Sequence, residues 1–231
     1  MRWSILTLAL LFAVPLARAD ENILGVLARS QLVRLDNAPA VDNTSPRART
    51  VRSSFETLAR LLGLRHTVEL RVIEGDIVAE TLQGRIVLAN QSLADLSEGE
   101  RRFILAHELA HIELRHWEQT QRLYQKWVPG VVTPEQTEPV AALLGRAASG
   151  LAYGQEFEAD AFALRALRAL GGSSKDAVSA FMHMGAHHDT ATHPGTSKRL
   201  AALRAADALW SGVAAQPETR NEPIDSVSLA D

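Results

Sequence analysis

Leu105-Ala106-His107-Glu108-Leu109-Ala110-His111 is the stretch on which the reading of this chain turns. On an α-helix, residues four apart project from one face. The His107 and His111 imidazoles can therefore converge on one metal ion, with Glu108 beside them to hold a water. The neighbours Phe103, Ile104, Leu105 and Ile112 are apolar, which predicts a buried helix with a polar notch. Ser97 and Glu100 form a capping-box pattern that opens this helix, read as running to about Trp117. His116 falls off the metal-facing side and reads as a solvated residue.

A catalytic zinc takes three protein ligands and keeps one position open. The third ligand must come from another part of the chain, and Gln155-Glu156-Phe157-Glu158-Ala159-Asp160 offers carboxylates early in a further helix, about Gln155 to Leu170. Glu156 and Asp160 are four apart and share a face. Glu156 is the candidate ligand, and Asp160 is placed to accept a hydrogen bond from a ligand histidine and fix its tautomer. Glu158 points elsewhere and reads as solvated.

Upstream, Asn22 to Leu35 carries Ile23, Leu24, Val26, Leu27, Leu32 and Val33 at helical spacing. Asp36 to Arg49, rich in polar residues and proline, reads as an exposed connection, and Ser53 to Leu62 as a second amphipathic helix stopped by Gly63. The period then changes to two at Val68, Leu70 and Val72, a strand signal. Ile77 to Thr81 and Arg85 to Leu88, flanking Gln83-Gly84, add two short strands. Downstream, Val128 to Pro139 reads as a loop, Ser173 or Ser174 caps a helix ending near Met184, and His187 to Pro194 is a polar loop. Thr196 to about Ala215 forms the last helix. The fold class expected is α+β, mainly helical, with a small antiparallel sheet before the active-site helix. There is no internal repeat.

The composition narrows the function. The chain has 231 residues, 46% of them hydrophobic, enough for a substantial core. With 24 basic against 27 acidic residues, it lacks the basic excess of a general nucleic-acid binder. No cysteine is present, so disulfides and thiolate metal sites are excluded. Residues 1–19 read as a signal peptide: Arg2, an apolar run from Ile5 to Leu16, then Ala17-Arg18-Ala19 as a small-x-small cleavage pattern. Twelve residues are too few to span a bilayer, which takes about 20. The expectation is a periplasmic protein with its mature domain at 20–215 and a flexible tail at 216–231.

The chain resembles the HtpX/BepA-type family of gluzincin metalloproteases, which includes the CAAX prenyl-protein proteases. The resemblance rests on Leu105 to His111, on Glu156-Phe157-Glu158-Ala159-Asp160, and on Thr192-His193-Pro194 with Arg199. It implies a gluzincin metalloprotease domain with His107, His111 and Glu156 as zinc ligands and Glu108 as the catalytic base. It places the His193 segment beside the active site, making His193 and Arg199 candidate oxyanion donors, with His193 alternatively a cap on the open zinc position. It also implies an edge strand that pairs with extended substrate, for which Arg85 to Leu88 is the candidate. The segment Ile77 to Leu88 lacks the Asn-Ala-Phe-Ala run usual in the family. His187 and His188 read as solvated.

The function expected is a zinc metalloendopeptidase of envelope quality control, acting on unfolded or misassembled proteins, with outer-membrane assembly machinery as a possible partner. The rivals are a zinc-binding chaperone without proteolysis and a latent protease that needs a partner. An intact Glu108 favours the enzyme, because a structural zinc site needs no base.

Overall fold

A computed structural model describes residues 21–64 and 68–214 of the chain. The expected signal peptide and the tail from 216 lie outside the described residues. The helices are α1 Ile23–Asp36, α2 Pro46–Leu61, α3 Glu98–Glu113, α4 His116–Trp127, α5 Pro134–Thr137, α6 Ala141–Ala169, α7 Ser174–Met184 and α8 Thr196–Ala214. The strands are β1 Glu69–Ile73, β2 Ala79–Leu82 and β3 Ile86–Asn90, followed by a 3-10 turn at Gln91–Asp95. Among the described residues no helix is long and apolar enough to cross a membrane.

The fold is mainly helical with one small sheet, as the patterning requires, but the strand order is β1-β3-β2. β3 pairs antiparallel with β2 and parallel with β1, so the sheet is mixed where an antiparallel one was expected. It also corrects the edge-strand expectation: Arg85 to Leu88 lies largely in the central strand. The outer side of β1 is covered, because Val41 donates to the Val72 carbonyl at 3.2 Å and Glu74 to the Pro39 carbonyl at 3.0 Å. The open edge belongs to β2. Bonds from Arg85 to the Leu82 carbonyl and from Asn90 to the Val78 carbonyl turn alternate peptide groups toward β3, leaving those of Ala79 and Thr81 pointing outward.

Each face of the sheet has its own layer. Leu70, Val72, Val87 and Ala89 join the main core with Leu58, Leu105, Leu109 and Leu164 from the helices. Ile73, Leu82, Ile86 and Leu88 pack beneath Leu35 of α1. α3 runs through the middle, touching α2, α6, α7 and β2. Leu105 and Leu109 are fully buried, and truncating either to alanine should cost about 2–5 kcal/mol.

Both ends of α3, the helix that carries His107, Glu108 and His111, are set by particular residues. Ser97 caps it, accepting from the Glu100 backbone, while Glu100 reaches back to the Ser97 N–H at 2.8 Å. The other Glu100 oxygen accepts from Ser179 and faces His183 Nδ1 at 2.7 Å, tying α3 to α7. The helix does not continue to Trp117. Arg115 adopts the left-handed conformation, φ 55°, and starts α4 in a new direction. Two other boundaries also move. α2 begins at Pro46, capped by Ser45 whose side chain accepts from Ala48, inside the stretch read as a connection. α6 begins at Ala141, fourteen residues before the expected start.

Candidate metal centre

α3 and α6 lie side by side, and their facing i, i+4 pairs meet. His107 and His111 from α3 and Glu156 from α6 each offer one ligand atom, and these atoms lie within 4.8 Å of one another. His107 and His111 face each other Nε2 to Nε2 at 3.2 Å. Glu156 Oε1 is 3.4 Å from His111 Nε2, and Oε2 is 3.7 Å from His107 Nε2. Ligands at 2.0–2.1 Å around a tetrahedral zinc stand about 3.3–3.4 Å apart along each edge. Two neutral nitrogens and one carboxylate at these separations fit such an ion.

His107 and Glu156 are supported from behind. His107 Nδ1 is 3.0 Å from Asp160 Oδ1, and Asp160 is 1% exposed. Arg199, from the first turn of α8, binds both Asp160 oxygens, through Nε at 2.8 Å and Nη2 at 2.6 Å. Its Nη1 reaches Glu156 Oε2 at 3.0 Å. One guanidinium thus holds two buried carboxylates whose charges would otherwise repel. Burial opposes ionisation of Glu156 and Asp160, but Arg199 and His107 outweigh it and hold both carboxyls below the usual range. Burial also opposes the His107 cation, yet the Glu156 and Asp160 charges raise its pKa.

Glu108 projects toward β2. Thr81 Oγ1 lies 2.8 Å from both the backbone oxygen and the Oε2 of Glu108, so the base candidate is fixed against the open edge strand. The cleft here has a volume of about 860 Å3 and is lined by Thr81, His107, Glu108, His111, Glu156 and His193 among others. It continues past β2 to Gln31 and Arg34 of α1, and Arg34 pairs with Glu80 at 2.6 Å. Burial raises the Glu80 carboxyl to about 7 against the pull of Arg34.

His193 stands at the rim, its side chain 61% exposed and its Nε2 3.9 Å from Glu156 Oε1. Thr192 Oγ1 holds its other nitrogen at 2.9 Å. Arg199, grouped with His193 in the sequence reading, instead binds the carboxylates from behind the ligands. His187 lines the cleft, whereas His188 does not. Glu158 is mostly exposed, as expected, but His116 is not: it is 3% exposed and lies against His111, with Nδ1 atoms 2.9 Å apart. The solvated reading of His116 assumed one continuous helix. The turn at Arg115 swings the ring back toward His111, and no glycine or proline at Leu114-Arg115 announces it.

A buried helix bearing two histidines and a glutamate, with a second helix offering a carboxylate beside them, is the His-Glu-x-x-His arrangement that could hold one metal ion in a metallohydrolase. Residues 45–207 match peptidase family M48, and the chain belongs to that family of metallopeptidases. No curated protein matches the chain. Helix α1 precedes the matched region.

Proposed function

We propose that the protein is a zinc-dependent endopeptidase of the HtpX/BepA-type branch of its family, exported to the periplasm. There it cleaves unfolded or misassembled envelope proteins, in company with outer-membrane assembly machinery. The observation that carries the peptidase reading is the placement of Glu108 between the metal-ligand group and the open edge of β2. The apolar run and the Ala17-Arg18-Ala19 pattern support export.

Zinc held by His107, His111 and Glu156 would supply Lewis acidity, acidifying water and polarising a carbonyl. An extended substrate pairs with the outward peptide groups of Ala79 and Thr81, which brings its backbone past Glu108. Glu108 takes the proton of the attacking water and delivers it to the leaving amine. The Thr81 hydroxyl keeps the carboxylate turned toward that path. Arg199 and Asp160 hold the ligand set in place and keep compensating charge close to it.

His193 supports a second feature, latency. Its imidazole sits at the cleft rim, where it either caps the open metal position or donates to the oxyanion. We favour the cap, since its Nε2 lies 3.9 Å from the Oε1 of the candidate ligand Glu156. His193→Ala should then raise turnover, whereas loss of an oxyanion donor should lower it by about 100-fold or more.

The test of the peptidase reading is cleavage of an unfolded protein by wild type and Glu108→Gln. The variant should keep its metal and fold and lose proteolysis. Wild-type rates in that variant would reject the mechanism.

A further inference from the structure

The mechanism above gives no role to the buried histidine behind His111. His116 opens α4, and its backbone oxygen accepts from Gln155 Nε2 at 3.1 Å. Its ring meets that of His111 edge to face, centroids 4.8 Å apart. One ring nitrogen faces His111 Nδ1 at 2.9 Å, and the other faces Glu158 Oε2 at 3.3 Å.

Proton accounting assigns every atom in this chain. A neutral imidazole has one N–H donor and one lone-pair acceptor. As a ligand through Nε2, His111 must leave that nitrogen bare and carry its proton on Nδ1. That N–H points at His116 Nδ1, which must therefore be the acceptor. The His116 proton is left on Nε2, directed at the Glu158 carboxylate. No donor faces a donor anywhere along the line.

We propose that His116 is a positioning residue for the metal ligand His111: it accepts the Nδ1–H of His111, fixing the ligand's tautomer and ring angle, and Glu158 orients His116 in turn. The assignment rests on the reading of His107, His111 and Glu156 as the metal ligands. His116 is not a fourth ligand, because its contact is with the nitrogen of His111 that does not face Glu156. The arrangement differs from the Asp160 support of His107, since the acceptor here is a neutral ring.

The test uses the full chain and zinc alone. Affinity is measured by competition with a chromophoric chelator for wild type, His116→Leu and His116→Asn. Leucine keeps an apolar side chain of similar bulk without an acceptor, while asparagine places an amide oxygen near the position of Nδ1. His116→Leu should bind zinc about 10–100-fold more weakly, and His116→Asn should stay within a few-fold of wild type. Histidine 15N–1H correlation spectra of the zinc-loaded wild type should place the proton of His111 on Nδ1 and that of His116 on Nε2. Wild-type affinity in His116→Leu, or a proton on His116 Nδ1, overturns the proposal. Equal weakening of both variants with a matching loss of stability in their metal-free forms also overturns it, in favour of packing.

Should the leucine variant not fold, His116→Asn and Glu158→Ala decide. Near-wild-type affinity in the first with a few-fold loss in the second supports the proposal, and a tenfold loss in the asparagine variant rejects it. If Glu156→Ala binds zinc as tightly as wild type, the ligand set itself is wrong. That failure is separate from equal affinities among the His116 variants.

Discussion

His107 and His111 sit one helical turn apart on α3 and present the same atom to the same space, yet opposite chemistries hold them from behind. Behind His107 is a buried ion pair: Asp160, 1% exposed, gripped through both oxygens by Arg199. Behind His111 is a second imidazole, ending at a mostly exposed glutamate. A charged acceptor raises the basicity of its ligand and creates a site whose integrity depends on pairing. A neutral acceptor orients its ligand with no added charge. The ligand group thus has an electrostatically committed side and a side that only aims.

The largest break in this comparison comes from the committed side. Arg199→Met leaves Glu156 and Asp160 as buried neighbours without their cation. The metal-free protein should lose about 3–5 kcal/mol in urea unfolding. Zinc should restore part of that loss, because it returns positive charge to Glu156. A variant as stable as wild type would show that the guanidinium does not hold the carboxylates together.

The two sides also part in acid. Burial is the main force pulling the His116 pKa from 6.5 down to about 3, with His111 and His107 adding to it. The unfolded chain therefore binds a proton there that the folded chain refuses. The stability from a neutral His116 is present above about pH 6.5 and is lost as the pH falls from there toward 3. His116→Leu should flatten that part of the stability profile of the metal-free protein. The remaining acid loss in the variant should come from carboxyls held below their usual range, Asp160, Glu156 and Glu100 among them, and be complete only below the ordinary carboxylate range. A profile unchanged by the substitution would show that His116 titrates as it does in water.

What could be read from the sequence follows from how local each signal is. His107, Glu108 and His111 were legible because helical spacing alone puts them on one side, and the same holds for the Glu156–Asp160 pair. Their meeting needed only that two apolar-faced helices pack together. His116 was misread because its burial depends on one left-handed residue, Arg115, where the chain gives no glycine to mark it. The edge strand was misplaced for a different reason: strand order is set by which strands find each other through space, and the short alternations at β2 and β3 look alike. The role of Arg199 was also hidden. Its partners lie 39 and 43 positions earlier, on a helix whose approach to α8 no local pattern reveals.

The smallest effect is expected at the exposed end of the neutral side. Glu158→Gln retains an oxygen acceptor for His116, and exposed pairs contribute about 0–1 kcal/mol. Zinc affinity should change by no more than about fivefold. A larger loss would mean that the charge of Glu158 is felt at His111 through the ring, making the two sides alike.

The most direct measurement is the metal content of the purified full chain, taken for wild type, Glu156→Ala and Glu108→Gln after equilibration with limiting zinc. One zinc per chain is expected in wild type and in Glu108→Gln, with little or none retained by Glu156→Ala. Full occupancy in Glu156→Ala would contradict a centre built by His107, His111 and Glu156.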